Sequence, residues 1–337
     1  MSSVSEHPPG AADQRDLALD ALKGFLAVSM VVYHSLNYFS EADASVLGYL
    51  RFVNGSFVFL SGLAIALRVA ASNAMSSAAA QRTLWRGLRL LIVFTALNLA
   101  IALLGMSNHK NVPFGIGRFF NDAFAVYFTG EGAAIAFRIL APIAYVLMLA
   151  PLYLCWPSWR WPVAVLTLLA ALVYTHLSNA VAATPFFVLI GLVGLCAGLA
   201  ARRAWASGPA PWLTIVCGVV LSVVLMDWLS GNVLAYCLGL WSMLKLVYDA
   251  TRRLNLHGAV AREWRRIGEY SLAAYIAQIA FLHGLRRLMP PAAGDEWGRV
   301  ALACVITTVF VFAFCAALAW VRQRVKPIDA AYRWVFG

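Results

Sequence analysis

The strongest constraint on this chain is a succession of apolar runs, each close to the length a bilayer demands. They lie at about 17–39, 46–70, 84–105, 133–155, 161–177, 183–201, 211–229, 231–249, 267–286 and 298–321, judged against the roughly 20 residues of a spanning helix. Ten such runs predict an all-α polytopic membrane protein, a bundle of about ten transmembrane helices. Composition agrees, since 62% of the residues are hydrophobic and only 12% charged, with a mean hydropathy of +0.76, far from a soluble globular domain. No internal repeat is apparent, and no polar segment is long enough to build a second core. One membrane domain is therefore expected over 15–325. Before it comes a disordered cytoplasmic tail at 1–14, which lacks the pattern of a cleaved signal peptide, and after it a cytoplasmic C-terminal tail at 326–337.

The formal charge of +11 would suggest nucleic acid in a soluble protein. Here the basic residues cluster in short loops between apolar runs, where they set topology and meet anionic membrane lipids, so nucleic-acid binding is excluded. Arg68, Arg82, Arg86 and Arg89 follow the second run, Arg160 the fourth, Arg202 and Arg203 the sixth, and Arg252, Arg253, Arg262, Arg265 and Arg266 the eighth. The intervening loops are acidic, neutral or mixed. By the positive-inside rule both termini are cytoplasmic. The six cysteines lie within or at the ends of apolar runs without metal-ligand spacing, and read as small core residues; no metal site is expected.

The first run is unusual in what it carries. Asp20, Lys23 and His34 stand among apolar residues, with Arg15 just before them. A charged group near the centre of a spanning helix costs about 2.5–3.5 kcal/mol, so it usually faces a polar cavity or a partner. At 100° per residue Lys23 and His34 fall about 20° apart around the helix and roughly 16 Å apart along it. Asp20 lies one turn before Lys23 on a nearby bearing. One helix face thus carries a charge pair toward the cytosol and a titratable ring toward the outer surface.

Arg15, Leu19-Asp20-x-x-Lys23-Gly24 and His34 resemble the first-helix signature of integral-membrane acyltransferases, the acyltransferase-3 type, whose relatives include periplasmic-glucan succinyltransferases and the lysosomal glucosaminide acetyltransferase. Gly55-Ser-Phe-Val-Phe-Leu-Ser61-Gly62 is similar to the second-helix pattern of that group, and Ile267-Gly268-Glu-Tyr-Ser271-Leu-Ala-Ala-Tyr275 to its late element. The chain departs by placing Lys23 where Arg is usual and Gln278 where His often stands. The resemblance implies transfer of an acyl group from cytosolic acyl-CoA, a co-substrate with no bound cofactor, to a hydroxyl of a glycan or other acceptor at the outer face. It implies a multi-pass protein of the bacterial cytoplasmic (inner) membrane.

Each candidate residue has a plainer reading beside the chemical one. His34 is the candidate catalytic residue, a general base that takes a proton from the acceptor and returns it to the leaving thiolate; the plainer reading is a histidine at a helix end. Lys23 either holds a phosphate of the thioester or neutralises Asp20, and Asp20 organises Lys23 or Arg15. Ser61-Gly62 either contacts substrate or lets two helices approach closely. Arg82, Arg86 and Arg89 share a helical face, and serve either nucleotide binding or topology. Arg138, Asp227 and Glu269 read as snorkelling or paired residues. Between 106 and 132, Arg118 and Glu131 stand among phenylalanines whose spacing from 120 to 128 predicts one interfacial helix over the outer mouth. A transporter or flippase using the same charges as a solute or proton path is the alternative, although no paired broken helices are visible. The acyl group, the acceptor and the oligomeric state are not legible.

Overall fold

The computed structural model describes residues 16–40, 47, 49–50, 52–69, 75–104, 115–122, 124–129, 136–177, 184–200, 205, 208–228, 232–254, 258–289 and 296–336. The tail at 1–14, Arg15, Glu131 and the Arg118 and Asp227 side chains lie outside the described residues. The architecture is all-α: among the described residues every regular element is helical. In chain order these are α1 (Leu17–Phe39), α2 (Phe52–Val69), α3 (Ser77–Leu103), α4 (Ile116–Asn121), a π-helical turn (Ala125–Thr129), α5 (Leu140–Leu154), a 3₁₀ turn (Pro157–Trp159), α6 (Arg160–Leu177) and α7 (Thr184–Ala200). Then follow α8 (Trp212–Trp228), α9 (Val233–Leu254), α10 (Gly258–Glu269), α11 (Ser271–Leu288), α12 (Glu296–Arg324) and α13 (Lys326–Phe336).

A helix occupies each of the ten apolar runs. α1, α2, α3, α9 and α12 are long and apolar enough to cross a membrane, and α5 to α8 contain shorter apolar helices. Outward-facing Leu166, Leu169 and Val173 on α6, Leu213, Val216 and Val220 on α8, and Val305 and Val309 on α12 are exposed, as lipid-facing side chains are. The main core gathers buried residues of α1, α2, α3, α5, α7, α9 and α11. Close approach of α2 and α7 depends on glycine: a Cβ on Gly62 would run into the Gly191 carbonyl, and one on Gly194 into the Phe59 carbonyl. Small residues at such crossings let backbones pack where no hydrophobic drive operates.

Four features differ from the sequence expectation. First, the described part of the 133–155 run, from residue 136, becomes helical only at Leu140, because Phe137 takes a left-handed φ of 56° that no α-helix accommodates. Second, the 267–286 run is divided: its first residues end α10, Tyr270 forms a turn, and α11 begins at Ser271. α10 was hidden by its five charged residues, Arg262, Glu263, Arg265, Arg266 and Glu269, yet it lies along the start of α1. A Cβ on Gly268 would meet the Asp20 carbonyl, one on Gly24 would meet the Trp264 carbonyl, and the Trp264 indole donates to the Ala21 carbonyl at 3.0 Å. The pairings 20 with 268 and 24 with 264 make α10 antiparallel to α1. After the turn, α11 runs the other way, so that Tyr275 faces His34 and His283 faces Tyr38.

Third, where a single helix is expected from 120 to 128, α4 ends at Asn121 and the π-helical turn spans Ala125–Thr129, with residue 123 between them outside the described residues. Phe124 and Phe128 stack with ring centroids 5.1 Å apart and remain exposed. Fourth, the segment expected as a C-terminal tail is the amphipathic helix α13. Pro327 disfavours helical geometry immediately before it yet is tolerated in a first turn, so α12 stops at Arg324 and a new helix starts at Lys326.

Candidate active site

The N-terminus of α1 is tied down before the site begins. Asp16 caps it, accepting from the amides of Ala18 and Leu19 at 3.0 and 3.1 Å, and its other carboxylate oxygen accepts from the Tyr248 hydroxyl of α9 at 2.9 Å. One turn on, Lys23 Nζ stands 3.5 Å from Asp20 Oδ1. Asp20 is buried in the first turn of the helix, where the macrodipole favours an anion.

Lys23 also lines a cavity of about 170 Å³, and this cavity brings the three sequence motifs together. Ser61 contributes from α2, Gly268 and Glu269 from the end of α10, and Ser271 and Tyr275 from α11. Arg68 and Arg86 join Lys23, giving three cations to one carboxylate, Glu269. Deeper in, Leu60, Leu90, Ile139, Ile143 and Leu147 make the wall apolar. Across the cationic end lies α13, whose Tyr332, Val335 and Phe336 complete the lining.

The arginine triplet expected on α3 is divided by this geometry. Arg86 faces the cavity. Arg89 instead donates to the Trp334 carbonyl at 2.9 Å and sits over its indole, 5.2 Å from the ring centroid, thereby holding α13. Arg82 is exposed and does not line the cavity. Ser61 and Gly62 divide too: Gly62 packs against α7, whereas Ser61 lines the cavity while its hydroxyl donates to the Phe57 carbonyl at 2.8 Å.

His34 stands beyond the far end of the cavity in a ring of tyrosines. Its ring centroid is 5.2 Å from that of Tyr33, 6.0 Å from Tyr275 and 6.3 Å from Tyr38, and its two ring nitrogens are shielded from solvent. Tyr275, on the cavity wall, connects the two regions. Tyr38 in turn meets a second imidazole, His283, with its hydroxyl 3.1 Å from Nδ1. Sequence reasoning passed over Arg68, Tyr33, Tyr38 and His283, reading the first as a topology charge and the others as parts of apolar runs. His283 recurs eight residues after Tyr275, about 80° around α11, and that spacing was available. Gln278, where the acyltransferases often place His, is buried with its amide nitrogen lacking a hydrogen-bond partner.

A cationic mouth, an apolar throat and an imidazole beyond it suit an anionic carrier with a long arm and a reactive end. A family model for heparan-alpha-glucosaminide N-acetyltransferase, catalytic region, matches residues 15–279. The chain belongs to that family. No curated protein and no solved structure matches it. The matched segment runs from the start of the first motif into α11, and so takes in Asp20, Lys23, His34, Ser61, Arg68, Arg86 and Tyr275. Family membership makes the chain a multi-pass membrane protein of acetyltransferase type. It supports the glucosaminide acetyltransferases among the relatives to which the motifs pointed, and not the acyltransferase-3 type specifically.

Proposed function

We propose that this protein transfers an acetyl group from cytosolic acetyl-CoA to the amine of a glucosaminide at the outer face, with His34 as general base. The observation that carries the reading is the continuity from Lys23, Arg68 and Arg86, through the cavity, to Tyr275 and His34. The carrier's phosphates bind the cations, since charge-assisted bonds to phosphate are the strong ones. Its arm follows the throat, covering the roughly 16 Å between Lys23 and His34 on one helix face.

The acceptor nitrogen attacks the thioester carbonyl carbon as His34 takes the nitrogen's proton. The C–N bond forms, the C–S bond breaks, and the imidazolium returns the proton to the leaving thiolate, so that amide and free thiol leave together. A sugar amine replaces the hydroxyl expected from the motifs alone, because the family name specifies N-acetyl transfer. The test is purified protein given labelled acetyl-CoA and a glucosaminide. Label in the sugar with stoichiometric thiol release, strongly reduced in His34→Ala, supports the reading. Solute flux across vesicles without thiol release would instead establish a transporter.

A further inference from the structure

The segment just before α5 is held in a way that a simple helix start does not require. Phe137 adopts a φ of 56°, the one positive φ of a non-glycine residue among the described residues. Such a conformation costs about 1–3 kcal/mol and persists only where its surroundings over-determine it, most often at functional sites. Here they do. The Ala136 amide donates to Asn98 Oδ1 at 2.9 Å, and the fully buried Asn98 is itself fixed by donating to the Phe94 carbonyl at 2.9 Å. Buried Phe137 packs against Tyr275 with ring centroids 6.3 Å apart. Ile139 forms part of the cavity wall, and its backbone is hydrogen-bonded to the Tyr275 hydroxyl.

Between these anchored neighbours stands Arg138, which is exposed and whose electrostatic neighbours are Tyr33 and Tyr275. These are the two tyrosines closest to His34 by ring distance.

We propose that Arg138 is a further catalytic residue, the cation that stabilises the oxygen of the thioester carbonyl as the acceptor adds to it. This inference rests on the reaction proposed above. When the nitrogen bonds to the carbonyl carbon, the C=O electron pair moves onto oxygen, and a negative charge appears where the substrate had a dipole. A fixed cation beside that point binds the transition state more tightly than the ground state. When the C–S bond breaks, the pair returns, the C=O re-forms and the charge passes to sulfur, which takes the proton held by His34. Arg138 exchanges no proton in this cycle, as its always-charged side chain requires. The left-handed Phe137 and the Asn98 clamp hold the backbone that carries Arg138 in place.

The test uses Arg138→Gln, Arg138→Lys and Arg138→Ala in the purified full chain. With Arg138→Gln, turnover at saturating substrates falls by about 10²–10³, the loss seen when one oxyanion donor is removed. Donor binding and the pH limb attributed to His34 stay as in wild type. Arg138→Lys retains an intermediate rate, and added guanidinium restores part of the Arg138→Ala rate, a rescue that a purely structural role would not produce. Wild-type turnover in a folded Arg138→Gln protein overturns this inference alone, as does a loss confined to the acceptor's KM. A wild-type protein that transfers nothing overturns the proposed reaction and this inference together.

Discussion

The ring centroid of Tyr275 lies 6.0 Å from that of His34, and the same tyrosine walls the cavity that holds Lys23, Arg68 and Arg86. One side chain thus joins the cationic mouth to the imidazole. The first prediction follows from that continuity. His34→Ala lowers transfer by about 10²–10⁴, the usual contribution of a positioned general base, while donor affinity and detergent stability stay near wild type. His34→Gln is nearly as poor, since an amide carries no exchangeable base. Because the base works in its neutral form, the rate rises with pH as the imidazole loses its proton. Steady-state rates across pH check this: the acceptor amine must also lose its proton before it attacks, so both variants keep the acceptor's rising limb and lose only the imidazole's.

The cations of α3 separate by position. Arg86 faces the cavity and Arg82 does not, so Arg86→Ala weakens acyl-CoA binding by about 10–100-fold, the worth of a hydrogen bond to a charged group. Arg82→Ala leaves it unchanged. Lys23→Ala behaves like Arg86→Ala, and Lys23→Arg is tolerated because either cation meets a phosphate. Equilibrium binding of a non-hydrolysable thioester analogue measures all four. Full activity in the double variant Asp20→Asn with Lys23→Met would reduce Lys23 to a counter-ion of Asp20.

Glycine packing gives a stability prediction with an internal control. Gly268→Ala forces a methyl group into the Asp20 carbonyl and destabilises the protein by about 1–3 kcal/mol, as overpacking does. It also moves Lys23, so donor affinity falls with it. Gly284→Ala, in a stretch of α11 where nothing lies within 4 Å of the added carbon, is neutral or stabilises by up to about 1 kcal/mol through helix propensity. Thermal unfolding in detergent distinguishes them.

The docking of α13 is sensitive to acid. Asp329 accepts from Arg322 Nε at 2.9 Å, and Arg333 approaches its other oxygen at 2.5 Å. The hydrogen bond from Arg322, then that from Arg333, holds the carboxyl below its ordinary value of 3.8. A depressed pKa stabilises the docked state fully above the ordinary value and loses that stabilisation as pH falls through the lower, docked value. No residue of α13 is fully buried, so its docking rests on polar and ring contacts, the Asp329–Arg322 pair and the Arg89–Trp334 contact among them. A cysteine placed at Val335 should therefore be labelled slowly at neutral pH and several-fold faster in acid below the ordinary value. Asp329→Asn should be labelled fast at both.

Hydropathy made the helices legible, because a spanning segment must satisfy its backbone within itself and surround it with apolar side chains. The shared face of Lys23 and His34 was legible too, since helical rotation is fixed. What escaped notice depends on contacts between distant segments. Arg68 looked like a loop charge until α2 and α3 brought it beside Arg86. Tyr33 and Tyr38 looked like apolar filling, although with Tyr275 of the late motif they surround an imidazole. The left-handed Phe137 has no local sequence signal, for neither glycine nor asparagine marks the position, and the shortening of α5 followed from it. α10 and α13 carried amphipathic patterns that their charged residues obscured: Ala261, Trp264 and Ile267 recur every three residues on one side of α10.

The shared direction of α1 and α11 bears on a question that loop charges address only statistically. His34 faces Tyr275 and Tyr38 faces His283, so the two helices point the same way. If both traverse one bilayer, the chain between them completes an odd number of crossings, whatever the depth reached by any short helix. A helix among α2 to α9 that turned back midway would need a second such failure to restore the parity.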